Sequence, residues 1–121
     1  MSRRQERLSY LLRQEISELL RREVKDPRLA GLVSITEVAV SPDLKQAQVF
    51  VSVLGSEDER QQVLAGLRGA VRFFRRELAD RIILRYIPEI TFHYDDALAR
   101  GDHLLRLMRD MDTGGASAPG Q

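Results

Sequence analysis

Apolar residues recur at steps of three and four near the start of the chain, which predicts an amphipathic helix from about Arg3 to Glu23. Ser2 is a suitable N-cap, and Pro27 disfavours helical geometry at the residue before it, so the helix should end by then. The positions expected in one buried stripe are Leu8, Leu11, Leu12, Ile16, Leu19 and Leu20.

A second helical pattern begins at Ser56, which forms a capping box with Glu59 three residues later. Its apolar stripe comprises Leu64, Leu67, Val71, Phe74 and Leu78. The stretch Gly66-Leu67-Arg68-Gly69 interrupts it, and two glycines inside a helix cost roughly 2 kcal/mol relative to alanine. We therefore expect a helix–kink–helix centred near Gly69 and Ala70. The alternative is that the glycines serve close packing of the helix on a sheet.

Three segments read as strands. Residues 33–40 change their apolar phase once, which a β-bulge near Thr36 and Glu37 would explain, and residues 45–54 alternate cleanly. The short turn between them predicts an antiparallel hairpin. The third strand, from about Leu84 to Tyr94, contains Pro88 and should lie at an edge or carry a bulge.

A last helix is expected over residues 96–111, followed by a disordered tail over 112–121. The predicted order is helix, hairpin, kinked helix, strand, helix. This order favours an α+β domain spanning residues 1–111, with the helices on one face of a three-stranded sheet and the opposite face largely open.

Composition excludes several function classes. The 121 residues contain no cysteine, and no apolar run approaches the roughly 18 residues of a membrane span, so we expect a cytoplasmic protein. No nucleophile–base motif, P-loop or dinucleotide fingerprint occurs, which argues against an enzyme and against a cofactor. The polar group of His93, Asp95, Asp96, Asp102 and His103 fits helix capping and an exposed sheet histidine better than a metal site.

Charge is distributed unevenly although the net charge is only +1. Residues 60–85 carry seven arginines and two acids, and four of the arginines lie within about a quarter-turn beside the apolar stripe: Arg68, Arg72, Arg75 and Arg76. Such like charges repel one another, and a phosphate backbone would relieve the repulsion. This cluster predicts RNA binding, whereas a solvated helix face is the alternative.

Five further basic residues are weaker candidates for RNA contacts: Arg81, Arg3, Arg4, Lys25 and Arg28. Phe50 is the one aromatic on a polar strand face and could stack on a base.

Four segments in order resemble the ribosome-binding factor A family. They are residues 23–29 (EVKDPRL), 38–44 (VAVSPDL), 47–52 (AQVFVS) and 84–95 (LRYIPEITFHYD). The resemblance spans residues 3 to 111. It implies a KH-like fold of the second type, in which a kinked helix pair replaces the GxxG loop. Ala70 matches the alanine of the family's kink, but Arg72 stands where the family has glycine.

The resemblance also implies a function. Members are non-catalytic, cytoplasmic factors that bind 16S ribosomal RNA in the 30S subunit and assist its late maturation and 5′-end processing, notably during growth in the cold. We expect a monomer that needs no metal and no small-molecule substrate. Two other hypotheses stay open: a protein-interaction module that uses the open sheet face and the acidic segment 29–59, and a general binder of single-stranded RNA.

Overall fold

The computed structural model describes residues 2–22 and 33–95. Along these residues the elements are α1 (Arg3–Arg22), β1 (Val33–Val40), β2 (Gln46–Val53), α2 (Glu57–Gly69), α3 (Val71–Arg81) and β3 (Glu89–Tyr94). The helix expected over residues 96–111, the tail after it, and the stop signal at Pro27 lie outside the described residues. None of the described helices is long and apolar enough to cross a lipid bilayer.

Helix α1 begins as predicted at Ser2, whose Oγ accepts a hydrogen bond from the backbone N–H of Gln5 at 3.1 Å. Its buried stripe includes Leu8, Leu12, Ile16 and Leu19. Leu11 is 37% exposed, so its assignment to the buried stripe was wrong. At 100° per residue, Leu11 points about 95° away from the centre of the other four, which places it at the border with solvent.

The start of α1 is also tied to the sheet. Gln5 is buried, and its amide nitrogen donates to the carbonyl oxygen of Val40 at 2.8 Å. Because a buried amide needs a partner, this contact fixes the helix against the end of β1. The hydrophobic pattern did not predict this contact, because a glutamine in the first turn of a helix is usually a surface residue.

Strands β1 and β2 form the predicted antiparallel hairpin, and their register shifts between Ile35 and Glu37, where the bulge was expected. In the turn, Ser41 Oγ donates to Asp43 Oδ1 at 2.6 Å, and Lys45 N–H donates to the same oxygen at 3.0 Å. Leu44 there has a φ of 64°, an unusual value for a residue with a side chain.

Strand β3 is shorter than predicted because it begins after Pro88, at Glu89. It pairs in parallel with β2 and forms an edge of the three-stranded sheet that the described residues build. The edge position agrees with the presence of proline, which has no N–H for a strand ladder. A parallel pair needs a long crossover, and α2 with α3 supplies it.

Helices α1, α2 and α3 pack on one face of this sheet. The core joins their apolar stripes to the inward residues of all three strands, with Phe74 and Phe92 among its largest fully buried side chains. The ring centroids of these two residues are 5.4 Å apart. The opposite face is less open than expected, since Phe50 and Ala39 are 0% and 2% exposed.

Phe50 therefore cannot serve as the exposed stacking residue that the alternation suggested. Its ring lies on the second sheet face with its centroid 5.4 Å from that of His93. His93 is half-buried rather than exposed, and its Nε2 is hydrogen-bonded to Gln48. A ring with no accessible surface has no face to offer a nucleotide base. No cluster of metal-ligating side chains occurs among residues 2–22 and 33–95.

Candidate RNA-binding surface

Helices α2 and α3 form a bent pair whose kink lies where the sequence predicted it. Helix α2 ends at Gly69, and Ala70, with φ −101° and ψ 8°, is both its C-cap and the N-cap of α3. A single residue outside helical geometry thus breaks the long helix into two arms. Gly66 is buried, whereas Gly69 is exposed and nothing lies within 4 Å of the position that a Cβ would occupy. Close packing can therefore account for the glycine at position 66 but not for the glycine at position 69.

The two arms begin differently. At the start of α2, Ser56 Oγ accepts from Glu59 N–H at 3.2 Å, and Glu59 Oε1 accepts from Ser56 N–H at 2.6 Å. The hydrogen bond from the Ser56 backbone N–H, followed by that of the Ser56 side chain, holds the pKa of the Glu59 carboxyl group below its ordinary value. At the start of α3 no side chain caps the backbone and the first turn contains no acid. Its first turn contains Arg72 instead.

Two of the four clustered arginines bind protein backbone. Arg68 donates from Nε and from one terminal nitrogen to the carbonyl oxygen of Phe92, at 3.3 and 3.0 Å. Arg75 donates from Nε to the carbonyl oxygen of Pro88 at 3.1 Å and from a terminal nitrogen to that of Ile87 at 2.7 Å. Both guanidinium groups therefore have a structural role in addition to any role in RNA binding.

These contacts follow from the geometry of β3. The N–H groups of Glu89 and Asp95 donate to the carbonyl oxygens of Lys45, just before β2, and of Val51 within it. Odd-numbered residues of β3 therefore face β2, and the carbonyl groups of the even-numbered residues face the free edge. A free edge presents unpaired carbonyl groups that need donors or water. Arg68 and Arg75 supply donors along that edge.

Arg60 extends the same row toward the start of α2. Its guanidinium carbon lies 4.9 Å from the centre of the Tyr94 ring, at the far end of β3. We call Arg60, Arg68 and Arg75 the edge arginines. They are eight and seven residues apart, close to two helical turns each, so they lie on one side of the bent helix pair. Sequence reasoning missed Arg60, although this spacing could have identified it.

Arg72 and Arg76 differ from the edge arginines. Both are exposed, as Arg68 is, but neither guanidinium has a hydrogen-bond or ion-pair partner within residues 2–22 and 33–95. We call them the exposed pair. They are four residues apart on α3, so they share one face of the second arm, directly after the kink.

The remaining basic residues that were predicted to contact RNA lie in different parts of the chain. Arg81 lies near the end of α3, where its terminal nitrogen is 3.5 Å from a carboxylate oxygen of Glu15 on α1. Arg3 and Arg4 are exposed in the first turn of α1. Lys25 and Arg28 lie outside the described residues. Within the four-arginine cluster, the exposed pair is thus the part whose donors have no partner among residues 2–22 and 33–95.

Comparison with known proteins identifies the family. The model of the family "Ribosome-binding factor A" matches residues 4–108. The chain belongs to the ribosome-binding factor A family. It is 50% identical over 111 residues to the member from Dictyoglomus thermophilum, covering 92% of each chain. It is 48% identical over 105 residues to the member from Acetivibrio thermocellus, covering 87% of this chain and 85% of the relative.

Solved structures agree. A solution structure of the Thermotoga maritima family member has a TM-score of 0.71 and 33% identity, and the match covers 80% of this chain and 92% of that one. The crystal structure of ribosome-binding factor A from Thermus thermophilus gives 0.67 and 27%, over 74% and 93%. The predicted family and the predicted α+β, KH-like fold are therefore confirmed.

A third structural relative comes from a ribosome complex. It is a homology model of the Thermus thermophilus factor, fitted into a cryo-electron microscopy map of its complex with the 30S subunit. Its TM-score to this chain is 0.59 at 26% identity, and the match covers 72% of this chain and 90% of the relative.

Proposed function

We propose that this protein binds the small ribosomal subunit through 16S ribosomal RNA and assists the late maturation of that subunit, including processing of the 5′ end of the RNA. It acts as a binding factor rather than as an enzyme, as the family does. Family membership supports the proposal, and so does the Thermus thermophilus relative that was fitted into a 30S complex.

The observation that carries the RNA-binding role is the exposed pair. Arg72 and Arg76 place two positive charges on one face of α3, and no described carboxylate lies against either of them. A guanidinium presents a planar fork of donors that matches the oxygens of a phosphate group. Neutralising phosphates releases counterions, which favours binding without requiring a particular base sequence.

The kink adds to the suitability of this face. The start of α3 has no capping side chain and no acid, and Gly69 just before it leaves open space beside the backbone. An acid or a bulky side chain at this point would repel or obstruct an approaching phosphate. The edge arginines lie on the same helix pair and keep it fixed on β3, so the exposed pair is presented by a rigid support.

Charge reversal tests this role. Arg72→Glu combined with Arg76→Glu should abolish co-sedimentation with 30S subunits at moderate salt, since two attractive contacts become repulsive. Thermal unfolding and circular dichroism should remain close to wild type, because both side chains are exposed.

The matched control is Arg13→Glu combined with Arg21→Glu. It makes the same change in charge at two exposed α1 residues that line the groove between α1 and β1, away from β3. This variant should still bind. Normal co-sedimentation of a folded Arg72→Glu, Arg76→Glu variant would remove the exposed pair from the RNA-binding surface.

The maturation role is tested in cells. Deleting the gene should increase free 30S subunits and precursor 16S RNA with an unprocessed 5′ end, seen by sucrose gradients and primer extension. The wild-type gene should reverse both effects and the charge-reversed pair should not. Normal RNA processing in the deletion strain would contradict the proposed maturation role.

A further inference from the structure

The segment between α3 and β3, residues 82–88, exposes large side chains that the proposed function does not use. Ile83 is 102% exposed and Tyr86 is 45% exposed. They are three residues apart and flank the exposed Arg85. An isolated apolar residue on a surface is ordinary, but a fully exposed isoleucine and a half-exposed tyrosine in one short connection form a small patch.

The segment is held firmly although it has no regular structure. Ile82 and Pro88 are buried at its two ends, and Leu84 and Ile87 pack against the core. Arg75 donates hydrogen bonds to the carbonyl oxygens of Ile87 and Pro88. The outward direction of Tyr86 is therefore a fixed feature of the fold, because the residues on both sides of it are anchored.

The charge of the segment favours an anionic partner. Residues 82–88 contain Arg85 and no acid, although Arg81, which is paired with Glu15, and the acids Asp80 and Glu89 lie just outside them. The bonds from Arg75 also place the segment at the C-terminal end of the arginine-bearing face of α3, which includes Arg76. A surface that combines an aromatic ring with nearby guanidinium groups suits single-stranded nucleic acid.

We propose that residues 83–86 are a second contact with 16S ribosomal RNA, in which Tyr86 stacks on an unpaired base and Arg85 binds a phosphate beside it. This inference rests on the proposed function and extends it, because it gives the protein a base-contacting site next to a surface that binds only the backbone. It also supplies the stacking residue that Phe50, being buried, cannot provide.

Affinity measurements test the stacking. Tyr86→Ala should weaken binding to 30S subunits by roughly 5- to 150-fold, the range measured for loss of one base–aromatic stack. Tyr86→Phe should bind like wild type, since stacking requires the ring and not the hydroxyl group. Tyr10→Ala is the matched control, because Tyr10 is 57% exposed but lies on α1 beside β1, and it should bind normally.

Salt dependence separates the two residues. Arg85→Gln should lower the slope of log affinity against log salt by about 0.7–0.9, the value for one phosphate contact, and Tyr86→Ala should leave that slope unchanged. Unaltered affinity of a folded Tyr86→Ala variant, or equal weakening by Tyr86→Phe, would overturn the stacking contact.

Cross-linking identifies the partner. With the photoreactive benzoylphenylalanine in place of Tyr86, irradiation of the 30S complex should give a cross-link to 16S RNA. A cross-link to a ribosomal protein alone would overturn the inference in favour of a protein contact. If wild-type protein does not bind 30S subunits, the proposed function fails as well. If it binds through the exposed pair while Tyr86→Ala has no effect, only this inference fails.

Discussion

The arginines of the bent helix pair divide into two groups that the sequence does not distinguish. The edge arginines, Arg60, Arg68 and Arg75, contact the free edge of β3 through carbonyl oxygens or an aromatic ring. The exposed pair, Arg72 and Arg76, has no partner in the described part of the chain. Both groups belong to one positively charged stretch of α2 and α3, yet one group stabilises the protein and the other is available to a ligand.

Under the proposed function, one charge cluster would serve both folding and RNA binding. The bent helix pair packs on β3, an edge strand. A long side chain that points from the pair toward this strand can therefore donate to its carbonyl groups. Arginine suits that position because it presents several donors in a fixed plane. Arg72 and Arg76 are rotated from Arg75 by about 60° and 100° around α3, and both remain exposed to solvent. The direction of each side chain, rather than its charge, decides which role it has.

The largest expected effect concerns Arg75. Arg75→Ala should lower the free energy of unfolding by roughly 1–3 kcal/mol, because two carbonyl groups lose charged hydrogen bonds and the anchor of residues 82–88 is removed. Arg76→Ala, the adjacent member of the exposed pair, should change stability by less than about 0.5 kcal/mol. Urea unfolding measures both. Equal stability of the two variants would erase the distinction between the groups.

The second largest expected effect concerns the salt dependence of 30S binding. Arg72→Gln and Arg76→Gln should each reduce the slope of log affinity for 30S subunits against log salt by about 0.7–0.9, because each removes one phosphate contact. Arg68→Gln should leave the slope near its wild-type value, since the Arg68 guanidinium is bound to Phe92. A reduced slope for Arg68→Gln in folded protein would place this edge arginine on the RNA as well.

The hydrophobic pattern was enough to predict most of the fold. Local signals specified the hairpin, its bulge, both helix starts at Ser2 and Ser56, and the kink at Ala70, because each depends on residues close in sequence. The strand β3 was predicted too long because the apolar residues before Pro88 anchor a connection rather than a strand. Alternation alone does not separate these two uses of buried residues.

The candidate site was less predictable. Helical periodicity grouped Arg68 and Arg75 with Arg72 and Arg76, since it gives direction around one helix but not the distance to a strand edge. Phe50 was assigned to the correct sheet face, but its burial depends on tertiary packing. Contacts between residues remote in sequence therefore account for the errors. The assignment of the RNA-binding residues themselves stays a prediction.

The third effect concerns the kink. Gly69→Ala should raise the free energy of unfolding by about 0.5–1 kcal/mol, because the added Cβ enters open space and the unfolded chain loses freedom. Ala65→Gly, at an exposed position of α2, should lower it by a similar amount. If Gly69→Ala stabilises the protein but weakens 30S binding, the exposed side of the kink belongs to the ligand surface with the exposed pair. Destabilisation would show instead that the bend requires glycine.

The smallest effect separates the two helix starts by pH. Among the helices that the structure describes, only α2 begins with a carboxylate bound to its own cap, and the N–H of Ser56 holds the pKa of Glu59 below its ordinary value of 4.5. A lowered folded-state pKa means that the ionised form stabilises the protein above the unfolded value and that this contribution disappears as the pH falls through the folded value. The stability advantage of wild type over Glu59→Gln should therefore be constant near neutral pH and shrink below about pH 4.5.

Urea unfolding of both proteins over that pH range measures this stability difference. Asp58→Gln is the control, since Asp58 shares the first turn but not the bond to Ser56. A constant difference at all pH values would show that the cap acts through shape alone. The start of α3, which has neither cap nor acid, would then differ from α2 only in geometry and not in charge.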